Sequence, residues 1–334
     1  MLSFGRKVFG SLVTLWGVSL VVFALIFLVP RLSSSTTDPA EAIAQSVAGA
    51  HADKENIKNI KHNLGLDKPL FLNPVAASQS SSPRASARAL FDAQYPRFVS
   101  DSLTNNLKSV RNGDRVFSAI ARRVPATMLL AVTALAVYLL IAVPLSLLTA
   151  SRGGSFLDRA FLVLSLLAIS IPTFWLGRLL QQYLGFQLNL FSVGGSATLW
   201  NLPLPALTLG IGGAAFYSRL LHANLRGVLK QEYIRAARAR GVSEPKVLGK
   251  HALKNALIPA IAVLGGEFAS LLSGLIFTEK IFGWPGIGSL AVDSITNRDV
   301  PMIMGTVLFS ALMVVSANLL VDVLYRVVDP RIRA

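Results

Sequence analysis

The chain has no cysteine and little charge for its length. Its 334 residues include 32 Lys and Arg but only 17 Asp and Glu, so charged residues make up 15% of the sequence. A soluble domain carries about 25%. The absence of cysteine excludes a disulfide framework and thiol chemistry. The histidines are scattered and resemble no ligand cluster, so we expect no metal site. They are His51, His62, His222 and His251.

The sequence also lacks the motifs of an enzyme. No G-x-x-x-x-G-K-[ST] phosphate loop is present, and the glycine-rich segment 283–288 is not followed by lysine. There is no Ser-His-Asp or H-E-x-x-H pattern, and few ionisable residues lie where an intramembrane hydrolase needs its paired catalytic groups. We therefore predict that this chain is not an enzyme, and that its energy comes from an ion gradient or from a partner.

Apolar residues, in contrast, are abundant. They make up 53% of the sequence, and the mean hydropathy is +0.56. A helix needs about 20 apolar residues to cross a bilayer, and six segments reach that length. We predict an all-α integral membrane protein with six transmembrane helices. They lie near residues 9–29, 124–150, 158–180, 203–224, 256–278 and 302–324. Pro144 and Pro172 are expected to kink the second and third.

The net charge of +15 is located in loops, which indicates membrane topology and not a nucleic-acid partner. Lys and Arg cluster before the first span, between the second and third, between the fourth and fifth, and after the sixth. These regions share one side, so the positive-inside rule places both termini in the cytoplasm. The basic segment 31–121 then lies outside, since long loops translocate largely regardless of charge.

This topology divides the chain into three parts. We predict an N-terminal anchor over 1–30, an extracytoplasmic loop region over 31–121, and a five-helix core over 122–334 with a cytoplasmic segment at 226–255. Within the outer region, residues 52–69 predict a short amphipathic helix that ends at Gly65 and Pro69. The low-complexity stretch 76–89 predicts a flexible insert.

The most charged stretch, residues 231–259, reads QEYIRAARARGVSEPKVLGKHALKNALIP. Its first half predicts a helix with an approachable surface of Ala236, Ala237 and Ala239, ended by Gly241. The second half predicts a new helix with Ser243 as its N-cap. An ordinary solvated basic loop is the competing interpretation. The pattern of small residues favours docking into a groove of another protein.

The same stretch resembles the EAA motif of ABC-transporter permeases, in the form found in the dipeptide/oligopeptide/nickel importer group. The matching residues are Glu232-Tyr233, Ala237-Arg238-Ala239-Arg240-Gly241 and Lys254-Asn255-Ala256-Leu257-Ile258-Pro259. Other segments similar to that family are RVPATMLLA (123–131), SIPTFWLG (170–177), PALTLG (205–210), TEKIFGWPGIGSLAVDSITNRDVP (278–301) and DPRIR (329–333). Arg235 stands where the general motif begins with glutamate, as is usual in the peptide subgroup.

The resemblance implies a permease with the fold of type I ABC importers in the bacterial inner membrane. Such a subunit pairs with a second, similar permease and with two cytoplasmic ATPase subunits, which bind the ATP and Mg²⁺. An extracytoplasmic binding protein delivers the substrate, and this chain itself is expected to hold no cofactor. Peptides are the expected cargo, with a nickel complex or haem as alternatives. The residues implied to couple to the ATPase are Glu232, Tyr233, Ala236, Ala237, Arg238, Arg240 and Gly241.

Glu267 is a candidate for the translocation pathway, because a carboxylate in the middle of a span is costly. Either it faces the pathway or it forms a structural pair, for which Arg178 is one candidate. Pro172, Phe174 and Trp175 are further gate candidates, although aromatic residues also anchor spans at the membrane interface.

A rigid turn is predicted at the outer mouth, where it contacts the binding protein or caps the pathway. Its residues are Phe282, Trp284, Pro285, Gly286 and Gly288. A gradient-driven secondary transporter is the distant alternative to an importer permease. It is expected to show inverted repeats, and the two halves of this sequence show none.

Overall fold

The computed structural model describes residues 2–29, 38–48, 53–63, 65–79, 82–195 and 197–328, and these are predominantly helical. The DPRIR ending lies outside the described residues. The helices are α1 (Leu2–Phe27), α2 (Pro39–Ala48), α3 (Lys54–Asn63), α4 (Pro74–Ser78), α5 (Pro83–Leu90), α6 (Gln94–Leu103), α7 (Val116–Ala150), α8 (Phe156–Ser170), α9 (Thr173–Leu180), α10 (Pro203–Leu229), α11 (Glu232–Ala239), α12 (Glu244–Lys246), α13 (Leu253–Ile281), α14 (Ile287–Thr296) and α15 (Val300–Val328). Two π-helical segments, Gln181–Gln187 and Val247–Ala252, continue α9 and α12.

Long apolar helices lie at the predicted spans. By length and hydropathy, the helices able to cross a membrane are Gly5–Phe27, Val116–Ala150, Pro203–Leu229 and Val300–Val321, and α8 with α9 passes as a bent pair. The predicted fifth span lies in α13, whose 29 residues rise about 44 Å. That exceeds the ~30 Å hydrocarbon core. The predicted all-α membrane fold is confirmed; among the described residues, length and hydropathy give five of the six predicted spans when the bent pair counts as one, and α13 has the length for the remaining one.

The third span is broken, whereas the sequence predicted one helix over 158–180. Helices α8 and α9 meet at an angle of 97°. Ile171, the last residue before the proline, is extended with φ −76° and ψ 120°. A residue before proline avoids the helical region, and Pro172 has no N–H to donate to the preceding turn. Pro172 therefore does more than kink the span, while α7 continues through Pro144.

The predicted outer region, residues 31–121, is largely helical where the structure describes it. Helix α3 confirms the predicted amphipathic helix. The prediction of a flexible insert at 76–89 is wrong for the described residues, which form most of α4 and α5. Each of these helices begins with a proline after a capping residue: Asn73 accepts a hydrogen bond from Ala76 N, and Ser82 accepts one from Ala85 N. Such caps stabilise a helix by about 1 kcal/mol.

The chain packs as two compact units, residues 1–123 with 290–312, and residues 124–289 with 313–334. The first unit has a core rich in aromatic rings. Phe23 of α1 is 1% exposed, and its ring lies edge-on to Phe71 and Tyr95 at centroid distances of 5.7 and 5.2 Å. The Tyr95 hydroxyl also hydrogen bonds to Ser19 Oγ at 2.8 Å. These contacts attach the outer segment to the first span.

In the second unit, α10 packs mainly against α13 and α8. Small residues bring helices α7 and α10 close together. A Cβ on Gly213 would lie 2.1 Å from the Tyr138 ring, and one on Gly210 would lie 2.5 Å from Val137. Membrane helices pack through such small residues because the hydrophobic effect does not drive them together in lipid. The two glycines therefore allow the close packing of α7 against α10, the helix that leads into the candidate site.

Candidate functional site

Helix α11 is held on the second unit by one deeply inserted side chain. Ile234 is fully buried in a cluster that includes Leu221 and Leu225 of α10 and Val247 and Ala256 on the following helical segment. The short connection also restricts where α11 can lie, because α11 begins three residues after α10 ends. The short helix is therefore attached to the membrane-spanning helices on both sides.

The outward face of α11 combines small and charged residues. Its exposed residues include Glu232, Arg235, Ala236, Ala239 and Arg240. This leaves an open surface beside two alanines, as the sequence predicted, on which another protein can approach closely.

Ala237 differs from the prediction. It is half-buried and packs against the cluster around Ile234, because it follows Ile234 by three residues and so lies on the same side of the helix. Ala236 and Ala239 are the alanines that face outward. A large side chain at Ala237 would disturb the chain's own core as well as any partner.

Gly241 ends the α11 segment in a left-handed conformation, with φ +78°. Its N–H donates to Arg238 O at 2.9 Å, and Val242 N donates to Ala237 O at 3.2 Å. Nothing lies within 4 Å of a Cβ built at this position. The glycine is therefore required by backbone conformation and not by crowding, as the sequence predicted.

Two of the predicted coupling residues have partners within the chain. Arg238 pairs with Glu244 through both ends of its guanidinium group, Nη2 to Oε1 at 2.6 Å and Nε to Oε2 at 3.0 Å. This hydrogen bonding lowers the pKa of Glu244 and raises the pKa of Arg238. The Tyr233 hydroxyl accepts a bond of 2.6 Å from Asn255 Nδ2. Both contacts connect α11 to the helix that follows it.

The predicted second helix is not separate from the fifth span. Ser243 takes the N-cap position, but its side chain makes no capping hydrogen bond. From Glu244 the chain runs through α12 and the π-helical segment Val247–Ala252 directly into α13. Displacement of α11 therefore acts on α10 at one end and on α13 at the other.

A buried polar cluster near the predicted cytoplasmic end was missed from the sequence. Asp158 Oδ1 lies 2.7 Å from His222 Nε2, and Oδ2 accepts a bond of 2.8 Å from Gly154 N, with Arg226 Nη1 at 3.8 Å. Ser155 caps α8 by accepting from Asp158 N. The Ser-x-x-Asp pattern is typical of a helix start and marks this residue. The cluster ties the 151–155 turn to α10.

The predicted outer turn is anchored inside the second unit. Phe282 and Trp284 are 2% and 1% exposed, and Trp284 Nε1 donates to Ala126 O at 2.9 Å. Pro285 is half-buried, while Gly286 and Gly288 are buried. The largest side chains of the turn point into the protein, and its contact with a binding protein or its role as a cap stays a prediction.

Glu279 organises this turn and was not identified as a site residue from the sequence. It is fully buried. Its Oε1 accepts a bond of 2.7 Å from Thr127 Oγ1, and its Oε2 accepts one of 3.0 Å from Ser289 N. Thr127 Oγ1 in turn accepts from Ile287 N at 2.8 Å. A Cβ on Gly286 would lie 2.0 Å from Oε1, so only glycine leaves room for the carboxylate.

Glu267 is half-buried on α13. It follows Leu264 by three residues and precedes Leu271 by four, so it shares their helix face. The suggested partner Arg178 instead donates to Gln181 Oε1 at 3.0 Å, and in the part of the chain that the structure describes Glu267 has no ion pair. A role in the pathway stays a prediction.

The gate candidates beside Pro172 lie on the surface of this single chain. Phe174 and Trp175 are 55% and 49% exposed. That exposure suits contact with lipid or with another subunit equally well. Within the described residues, no group of three or more His, Cys, Asp and Glu is arranged to hold a metal ion.

Two family models match the chain. A family model described as "Binding-protein-dependent transport system inner membrane component" matches residues 142–334. A second, described as "Binding-prot-dependent transport system membrane comp, N-term", matches residues 1–80. The chain is 33% identical over 329 residues to the glutathione transport system permease protein GsiC of Escherichia coli O6:H1, covering 98% of this chain and 97% of that protein.

Two further similarities concern a second species and a solved structure. The protein of the same name from Pectobacterium atrosepticum is 35% identical over 331 residues, with 99% and 98% of the two chains covered. An inward facing conformation of the MetNI methionine ABC transporter is similar with a TM-score of 0.53 at 20% identity, over 63% of this chain and 96% of that chain. The structural similarity supports the fold.

Proposed function

We propose that this chain, which belongs to the family of binding-protein-dependent transport system inner membrane components, carries peptides across the membrane as one permease subunit of an ABC importer. Its long apolar helices make it a multi-pass membrane protein. Its relatives are permease proteins, which supports a role as a transport subunit. The relatives named for glutathione transport support a short peptide as the cargo.

Helix α11 is proposed to couple the permease to a cytoplasmic ATPase subunit. The observation that carries this assignment is its attachment: the helix is fixed by Ile234 and continues within a few residues into α10 and into the helix of α13. Its outward alanines leave space for a close-fitting groove, and its exposed cations suit acidic side chains there. A displacement of α11 then moves the two membrane-spanning helices α10 and α13.

Family membership supports the rest of the proposed assembly. A second, similar permease completes the pathway, two ATPase subunits bind ATP and Mg²⁺, and an extracytoplasmic binding protein delivers the peptide. This chain carries no cofactor of its own in that scheme. Both termini and α11 lie in the cytoplasm, and residues 31–121 lie outside the inner membrane.

Uptake by the purified complex tests the proposal. The complex is reconstituted in proteoliposomes with its ATPase subunits and its binding protein, and labelled glutathione, a labelled dipeptide, a nickel chelate and haem are supplied in turn. We expect ATP-dependent uptake of a peptide that continues when a protonophore collapses ion gradients. Uptake of only the nickel chelate or haem would change the substrate class. Uptake that needs a gradient and no ATP would refute the importer.

A further inference from the structure

A hairpin over residues 107–116 carries Lys108 and Arg115, for which the described part of the chain offers no ion-pair partner. Lys108 and Arg115 face each other in an antiparallel bridge. Val116 N donates to Leu107 O at 3.0 Å, and Ser109 N donates to Asp114 O at 2.9 Å. Gly113 closes the turn with φ +71°. We call residues 107–116 the basic hairpin.

The basic hairpin is anchored to the start of α15. Ser109 Oγ donates to Asp299 Oδ2, and Val110 N donates to Asp299 Oδ1 at 3.3 Å. Asp299 is 4% exposed. At the tip, Arg111 Nε donates to Asn297 O at 3.2 Å. These hydrogen bonds hold the hairpin backbone, so Lys108 and Arg115 extend from fixed backbone positions.

The charges on this hairpin repel each other. Like charges that face each other across a strand pair destabilise it, yet Lys108 and Arg115 are exposed and have no ion pair among the described residues. Asp114 is the acid within the hairpin, and its carboxylate pairs with Arg122 at 3.1 Å. Arg111 and the neighbouring Arg298 are also exposed. A rigid cluster of unneutralised cations attracts an anionic partner.

Helix α7 indicates where the hairpin lies. Its 35 residues rise about 52 Å, far more than the ~30 Å hydrocarbon core, so one end projects. Arg122 and Arg123 directly precede the predicted second span and mark its outer boundary. Arg115 lies about 12 Å further out along the helix axis. The head-group layer on each side is only about 5–8 Å thick, so the hairpin stands beyond it.

We infer that the basic hairpin is a docking surface for acidic side chains of the extracytoplasmic binding protein. This inference rests on the proposed function, because it needs residues 31–121 to lie outside and a binding protein to be present. A protein partner fits better than anionic lipid, since the cations are held above the head groups. Charged docking surfaces of this kind raise association rates, and the effect weakens as salt rises.

Charge reversal in the reconstituted complex tests the inference. We compare Lys108→Glu with Arg115→Glu, made together, against a matched control of Arg84→Glu with Arg88→Glu on α5, where both arginines are exposed. The probe is the binding protein that stimulates the wild-type complex to hydrolyse ATP. Its association rate is measured at low and at physiological salt. A second probe is a set of vesicles with and without phosphatidylglycerol.

We expect the hairpin variant to slow association of the binding protein about tenfold at low salt, with a smaller effect at physiological salt, while the control and basal ATP hydrolysis stay near wild type. An equal effect of both variants, or none, overturns the inference. Loss of affinity for phosphatidylglycerol vesicles with normal binding-protein association assigns the hairpin to lipid and also overturns it. If the wild-type complex responds to no binding protein, the proposed function itself fails, and this inference fails with it.

Discussion

The buried carboxyl group of Glu279 gives a sharp test of how the outer turn is built. Glu279→Gln keeps the size of the side chain but replaces one acceptor by an NH₂ group. The amide can turn so that its oxygen accepts from Ser289 N and its NH₂ donates to Thr127 Oγ1. The Thr127 hydroxyl proton then loses its acceptor, and one buried unsatisfied donor costs about 1–3 kcal/mol.

Glu279→Ala is expected to cost considerably more. It removes the acceptors of both Thr127 Oγ1 and Ser289 N, which costs about 2–6 kcal/mol. The cavity left by the side chain adds to that cost. The matched control is Glu55→Gln, because Glu55 is exposed on α3; surface changes of this kind stay within about 0.5 kcal/mol.

The assay is the temperature at which half of the detergent-purified complex loses its size-exclusion peak. We expect the order wild type, Glu55→Gln, Glu279→Gln, Glu279→Ala from most to least stable, with the first two close together. Transport by Glu279→Gln is measured below its own transition, to separate stability from activity. If Glu279→Ala is as stable as the Glu55 control, the turn does not depend on this carboxyl group and the reasoning is refuted.

Three other predictions concern topology, the pathway and pH. In this cysteine-free chain, an impermeant thiol reagent on intact cells should label Ala87→Cys and not Ser243→Cys; the reverse would overturn the topology. Glu267→Gln should change transport rate or substrate preference with near-normal assembly; loss of assembled complex would instead assign Glu267 a structural role, and wild-type transport and stability would reject both. Because Arg238 lowers the pKa of Glu244 below 4.5, their pairing stabilises the complex above that pH and is lost as the pH falls through the lowered pKa. Glu244→Gln should therefore be less stable than wild type at pH 7, by at most about 1 kcal/mol since both side chains are well exposed, and the difference in thermal midpoint should shrink in acid. A difference that does not depend on pH would contradict this.

The spans were predictable because each depends on a long local run of apolar residues. The bilayer requires about 20 such residues, and that requirement can be read without knowledge of tertiary contacts. The φ of Gly241 was predictable for a similar reason, since the helix pattern stops there and glycine enters the left-handed region at little cost.

The break at Pro172 and the orientation of Ala237 could not be predicted from the local sequence, because both depend on tertiary packing. A helix can continue through a proline, as α7 does at Pro144, or can be split by one, as the third span is at Pro172. The surrounding packing decides between these outcomes. Ala237 was one of three similar alanines in the sequence. Only the burial of Ile234, which depends on α10, shows which alanines face outward.

The buried carboxyl groups of Glu279 and Asp158 were not found, because their partners are distant in sequence. Thr127 lies 152 positions from Glu279, and His222 lies 64 positions from Asp158. A single sequence shows such a residue as one more charge near a span end.

We propose that α11 transmits ATPase motion through close packing at its outward alanines. The most direct measurement places tryptophan at Ala236, which is exposed on that face, and compares it with Ala87→Trp on the exposed surface of α5. Both variants should insert into the membrane at wild-type levels. For each reconstituted complex, ATPase co-purification, substrate-stimulated ATP hydrolysis and peptide uptake are measured together.

We expect Ala236→Trp to lose ATPase association, or to keep ATP hydrolysis while uptake falls by at least about tenfold, and Ala87→Trp to behave as wild type. A tenfold loss corresponds to about 1.4 kcal/mol, a modest demand for a bulky side chain in a tight groove. If Ala236→Trp binds the ATPase normally and transports peptide at the wild-type rate, α11 is a solvated basic helix and the coupling assignment is contradicted.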